Sequence, residues 1–293
     1  MGMPPLTALF APILIGPWPI SRVHTRWGAA HELTYAPDAV AAIAATWDAQ
    51  VASAASQQRL LFNGTLAHVL HVVLTPGGGC VVEIQPTDYR TFVGTRTSAF
   101  RVACASDTPA EPLSLWGAPR TTDGWLVFNP RTGQDLYNAS LGIIGGFLDP
   151  TVDRNPAGNP NLARSLAREI REELGIIAPV QDMQALGLAR DLTTPHWGLA
   201  FSTVLPTTKA ELERKVRAGE TDGEIQTLFF AEDSAEGLAA LLSGATAHPL
   251  SPAAAAAWSM YGLITYGADW ARVTLGEGLT ARLLAVHIAD TAV

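Results

Sequence analysis

Three glutamates occupy five consecutive positions of the stretch "LAREIREELGI", at Glu169, Glu172 and Glu173. Successive residues of a helix turn by about 100°, so Glu172 and Glu173 lie about 60° and about 40° to either side of Glu169, on one stripe. Ala163, Leu166, Ala167, Ile170 and Leu174 form a core-facing stripe beside it, and Arg164, Arg168 and Arg171 gather on the far side. Like charges at this spacing cost about 0.2–0.5 kcal/mol per pair. Arg168 is placed to pair with Glu172 four residues on, whereas Glu169 and Glu173 have no cation among their helix neighbours. A hard divalent cation reverses the sign, because carboxylates from one stripe converge on its oxygen shell. The stretch therefore reads as a metal-binding helix, against the plainer alternative of a solvated amphipathic one.

The elements around it follow from local signals. Asn159-Pro160 predicts an N-cap and first-turn proline, and Gly175 stands where a terminating glycine belongs. Upstream, "LGIIGGFLDP" reads as a strand running into a turn at Gly145-Gly146, followed by the breaker-rich "DPTVDRNPAGNPN", a loop with no apolar stripe to bury. "GWLVFNPR", "MQALGLARDL", "HWGLAFSTVL" and "EIQTLFFAED" read as strands, "TKAELERKVRAG" as a charged helix, and "PAAAAAW" (252–258) as the start of an alanine-rich one. Before them, "PDAVAAIAATWDAQVASA" predicts a helix from Pro37. "RLLFNGTLAHVLHVVL", "GGGCVVEIQPTDYRTFVGT" and "AFRVACAS" predict a small antiparallel sheet, and "SDTPAEPLS" a linker. The expected division is a β-rich domain with one helix over 1–107 and an α/β domain over 108–293.

Composition restricts the partners. Hydrophobic residues make up 48% of the 293 and charged residues only 16%, which excludes a disordered chain. A net charge of -8 argues against a nucleic-acid backbone or an anionic membrane, so an anionic ligand needs a local cation. The apolar opening "MGMPPLTALFAPILIGPWPI" holds five prolines and no basic residue, a poor match to a signal or membrane segment. Cys80 and Cys104 show no metal or redox spacing and read as buried free thiols. His68 and His71 lie on opposite faces of their strand and read as packing residues. A soluble cytoplasmic protein is expected.

Arg168-Glu169-Ile170-Arg171-Glu172-Glu173-Leu174-Gly175-Ile176 matches the second half of the Nudix signature, R-E-U-x-E-E-x-G-U with U aliphatic, and "IIGGFLDP" resembles the glycine turn that opens it. Gly146 lies 22 residues before Arg168, further than the family's usual spacing, and the position of the family's intervening glutamate falls at Val152. Asp149 or Asp153 is left to buttress Arg168. "TDYRTFVGTR", "LGLARDLT" and "GEIQTLFFAED" resemble the UDP-glucose- and UDP-galactose-hydrolysing members, which carry a β-rich N-terminal domain. The resemblance implies a Nudix α/β/α sandwich that hydrolyses a UDP-sugar to UMP and a sugar 1-phosphate. ADP-ribose or another nucleoside diphosphate derivative is the alternative substrate, and a non-catalytic nucleotide-sugar-binding module the alternative role. It implies Mg²⁺, or Mn²⁺, on Glu169, Glu172, Glu173 and the Gly145 carbonyl. A catalytic base would come from that stripe (Glu172 or Glu173) or from the later Glu220 and Glu224. Arg90, Arg96, Arg190 and His196 are the candidate substrate contacts. The sugar and the choice between monomer and homodimer stay open.

Overall fold

The computed structural model of the chain describes residues 4–28, 33–104, 108–131, 136–221, 225–244 and 248–287. A continuous apolar run builds strand β1 (Phe10–Pro19), alternation builds β2 (Val23–Trp27), and helix α1 (Pro37–Ser56) begins on the expected proline. Strands β3 (Thr65–Leu74) and β4 (Cys80–Asp88) follow, then two short helices, α2 (Tyr89–Gly94) and α3 (Ser98–Ala103). The second half contributes β5 (Leu113–Arg120), β6 (Trp125–Pro130), β7 (Leu141–Gly142), α4 (Leu162–Leu174), β8 (Gln184–Asp191) and β9 (His196–Val204). It closes with α5 (Lys209–Arg217), β10 (Phe229–Glu232), α6 (Ala235–Leu242), α7 (Pro252–Leu275) and α8 (Glu277–Ala285).

The large sheet runs β1-β8-β9-β5-β6-β10, with β7 added on β6. Only β5 and β9 pair in parallel, and the β8–β9 hairpin turns through "DLTTPH". Strand alternation divides its faces. Leu113 and Leu115 join Leu166, Ile170 and Leu174 of α4 in one core, while Trp116 and Ala118 join Trp258 and the buried alanines of α7 in the other. The result is the expected α/β architecture, a mixed sheet between helical layers. Alanines 253–257 are buried all round, so small side chains let α7 lie close against the sheet. Gly198 opposite performs the same service for Trp116, whose ring would stand 1.9 Å from a β-carbon there.

Three expectations are corrected. The smaller sheet, β2-β4-β3, is mixed, since β2 and β4 are parallel. Of "AFRVACAS", "AFRVA" is helical, within Ser98–Ala103, and the last two residues lie outside the described ones: Thr97 caps the helix by accepting from Phe100 N–H at 3.2 Å, and Phe100 and Cys104 pack on Ala39 and Ile43 of α1. The boundary at residue 107 is crossed, because β1 pairs with β8 in the large sheet. Its prolines are tolerated where the pairing slips, between Pro12 and Leu14 and between Ile15 and Trp18. Cys80 and Cys104 are free and buried, and burial pushes the Cys80 thiol up to about 12. Among the described residues no helix is long and apolar enough to cross a membrane.

Helix α4 is capped by Asn161, two residues later than expected, whose side chain accepts from Arg164 N–H at 3.1 Å. Asn159 instead accepts from the main-chain N–H of Trp27 at 3.1 Å, and the Trp27 indole donates to the Gly158 carbonyl at 3.1 Å. The Thr25 hydroxyl reaches the Pro160 carbonyl at 2.6 Å. The breaker-rich insertion is thus docked on β2. Replacing Asn161 by alanine is expected to lower stability by about 1 kcal/mol, measured as a shift in the urea midpoint with unchanged slope.

Candidate functional site

Helix α4 presents its glutamates to the glycine turn. The Glu173 carboxylate, 5% exposed, accepts from Gly145 N–H at 2.9 Å. A β-carbon on Gly146 would sit 3.6 Å from Glu169 Oε2, so that carboxylate adjoins the same turn. Gly145 is required twice over: its φ of +123° disfavours any side chain, and a β-carbon would come within 2.5 Å of the Leu115 carbonyl. The Gly146 carbonyl accepts from Leu115 N–H at 2.8 Å, which fixes the turn to β5.

Arg168 organises the stripe. It donates to Asp153 at 2.9 Å and Glu172 at 2.7 Å and contacts Glu169 at 2.8 Å. Burial opposes its charge, but the Asp153 hydrogen bond and the charges of Glu169 and Glu172 outweigh burial and raise its pKa. Glu169 therefore has the cation that helix spacing denied it, because an adjacent arginine reaches around with its other nitrogens. Of the two candidate buttresses it is Asp153 that serves; Asp149 accepts from Thr151. The insertion is accordingly part of the site's frame, through the one of its two aspartates that reaches Arg168.

Of the site residues expected from sequence, Glu169, Glu173 and Gly145 come together, while Glu172 sits further out with Arg168, 3.9 Å from Arg171. Among the described residues no three acidic, histidine or cysteine side chains are gathered as a metal cluster. Carboxylate and carbonyl oxygens are nevertheless the donors a hard cation takes. The Glu220 carbonyl lies against Gly175 at the end of α4, but its carboxylate pairs with Lys215 and Arg214 at 3.2 and 3.1 Å, and those bonds lower its pKa. Glu224 lies outside the described residues.

The candidate substrate contacts separate. Arg90 stands at the start of α2, its main-chain N–H bonded to Asn63 at 2.7 Å. Arg96 donates to the carbonyls of Phe92, Ala110 and Pro195 and stacks 3.7 Å over the Phe92 ring, and Arg190 pairs with Glu111. His196 is buried among Phe92, Trp116 and Phe147, with Nδ1 at 2.7 Å from the Thr194 carbonyl; burial lowers its pKa despite Asp191 nearby. It lines a cavity of 110 Å³ with Gly145, Gly146, Arg131 and Tyr137. Arg131 and Tyr137 were not singled out in the sequence, since neither stands in a motif. Tyr137 donates to Asp191, whose other oxygen accepts from Thr193 and Thr194 N–H at 2.7 and 2.9 Å.

No protein-family model and no curated protein matches the chain. Among solved structures it is similar to the NUDIX domain of Shewanella oneidensis NrtR complexed with ADP ribose, at 15% identity and a TM-score of 0.36 over 56% of this chain and 96% of that one. NrtR from the same organism complexed with a 27mer DNA gives 14% and 0.36 over 50% of this chain; the match spans only 59% of that protein. A Nudix hydrolase from M. smegmatis, RenU, gives 11% and 0.29 over 53% and 84%.

Asp153→Ala is expected to cost about 1–3 kcal/mol by leaving a part-buried guanidinium short of an acceptor. Urea denaturation measures this, and a loss below a few tenths would show that Asp153 does not buttress Arg168.

Proposed function

We propose that the chain is a Nudix-type hydrolase of a nucleoside diphosphate linked to a second group. The supporting observation is the bond from Gly145 N–H to Glu173, which joins the two halves of the motif across a long insertion. In this reading the diphosphate lies where the glycine turn meets α4, and water adds to one phosphorus as the bridging oxygen leaves with the other phosphate. Mg²⁺, or Mn²⁺ in its place, held by Glu169, Glu172, Glu173 and the Gly145 carbonyl, would neutralise the diphosphate oxygens and lower the pKa of the attacking water. Arg168 orients Glu169 and Glu172, and Asp153 orients Arg168. The base is assigned to the α4 carboxylates, Glu172 or Glu173, over Glu220, because α4 meets the glycine turn through Glu173 whereas the Glu220 carboxylate turns to Arg214 and Lys215 of α5. Glu224 stays a candidate from sequence. His196 and Arg131 border the cavity beside the turn and are the groups placed to meet the substrate.

Within that class a UDP-sugar is the proposed substrate, yielding UMP and a sugar 1-phosphate, on the strength of the segments around Arg96, Arg190 and Phe229. The net charge of -8 supports a small molecule over nucleic acid or membrane. A second reading, a nucleotide-sugar-binding module without turnover, is favoured by one feature: Arg168 already engages Glu169 and Glu172.

UDP-glucose is expected to be converted to UMP and glucose 1-phosphate, to stop with excess EDTA, and to fall by orders of magnitude in Glu172→Gln or Glu173→Gln. Preference for ADP-ribose by about tenfold or more, equal to about 1.4 kcal/mol, would overturn the substrate but keep the class. Binding of UDP-glucose with no turnover at any divalent metal would establish the second reading.

A further inference from the structure

The arginines expected to contact substrate do not line the cavity beside the glycine turn; two of them line another. It has a volume of 400 Å³, within the range of small-molecule sites, about 300–1,000 Å³. Arg96, Arg101 and Arg190 converge on it from the turn after α2, from α3 and from the end of β8, and Glu111 is the one acidic residue among the described residues that line it. Three positive charges against one negative leave the wall with a net charge of +2, on a chain whose net charge is -8.

The cations are incompletely satisfied. Arg96 uses its terminal nitrogens on main-chain carbonyls, and Arg190 uses one on Glu111, yet the Nε–H of each is buried with no acceptor. Arg101 is exposed and makes a long bond, 3.4 Å, to the Arg96 carbonyl. The parts of the wall open to an occupant are Arg101, which is exposed, and the half-exposed Arg190 side chain, and an anionic oxygen would give their guanidinium groups a charged acceptor. Guanidinium forks match the oxygens of a tetrahedral phosphate, and a net charge of +2 matches its dianion.

We infer that this cavity binds a phosphate dianion, free or as the terminal group of a monoester, independently of any metal. The inference stands apart from the hydrolase reading, because the two cavities have no lining residue in common. They do share the β8–β9 turn: Thr193, Thr194 and Pro195 line the arginine cavity, and the next residue, His196, meets the Phe147 ring at 5.2 Å beside the glycine turn. An occupant therefore presses on a segment that continues to the motif.

The test is calorimetric titration of the full chain, in excess EDTA, with orthophosphate, glucose 1-phosphate and, as neutral control, glucose. Wild-type protein is expected to bind at least one phosphate and not glucose. Arg190→Gln and the surface variant Arg101→Gln, each checked for an unchanged circular dichroism spectrum, are expected to weaken binding by about tenfold or more. Preference for orthophosphate assigns the site to inorganic phosphate, equal affinity to the phosphate group whatever it is attached to, and preference for glucose 1-phosphate to a phosphorylated metabolite; all three support the inference. No phosphate binding by wild type, binding that EDTA abolishes, or unchanged affinity in both variants overturns it.

Discussion

The geometry of the candidate site depends on Arg168. One part-buried guanidinium answers carboxylates from the helix it sits on and from the insertion before it. A stripe of glutamates would otherwise repel itself, and a buried charge without partners would cost several kcal/mol. With both problems cancelling, α4 can lay Leu166 and Ile170 into the sheet and still bring Glu173 to the glycine turn. One positive charge against the carboxylates of Asp153, Glu169 and Glu172 still leaves the cluster net negative. A divalent cation proposed for this stripe would have to compete with an arginine already in place.

The insertion ties the two sheets together. Its polar main chain and asparagines meet Thr25 and Trp27 of β2 at one end, and its Asp153 meets Arg168 at the other. On the opposite side, the segment before β5 bonds to β3, with Glu111 N–H donating to His68 at 2.8 Å and Val69 N–H to the Glu111 carbonyl at 3.0 Å. The seam is closed by hydrogen bonds and a stacked aromatic group around Phe92, Phe147 and His196. Such directional contacts fix orientation more tightly than apolar contact alone.

Much of this was legible in the sequence. The periodicity of α4, its glycine stop and the Gly145-Gly146 turn are local signals, and they lie where their residues imply. What failed was non-local. Asn161 replaced Asn159 as cap because Trp27, more than a hundred residues away, claims the Asn159 oxygen. Glu169 looked unpaired because helix spacing counts neighbours three and four apart, whereas Arg168 bends back to its immediate neighbour. "AFRVACAS" carries strand-forming residues, but Thr97 and the apolar face of α1 made its first five residues helical. Arg96 and Arg190 stand far apart in the sequence, and only the fold brings them to one cavity with Arg101.

The pairing of β1 with β8 sets an order of assembly. During synthesis the smaller sheet, β2 to β4, is complete by Asp88, and its strands can pair as soon as they emerge. The strand that precedes it has to wait until Gln184–Asp191 has been made, because that is its partner. A nascent chain therefore holds an apolar, proline-bearing segment unpaired ahead of a finished subassembly. The prolines at 12, 17 and 19 limit its pairing with other chains over that interval, a safeguard against aggregation written into the strand itself.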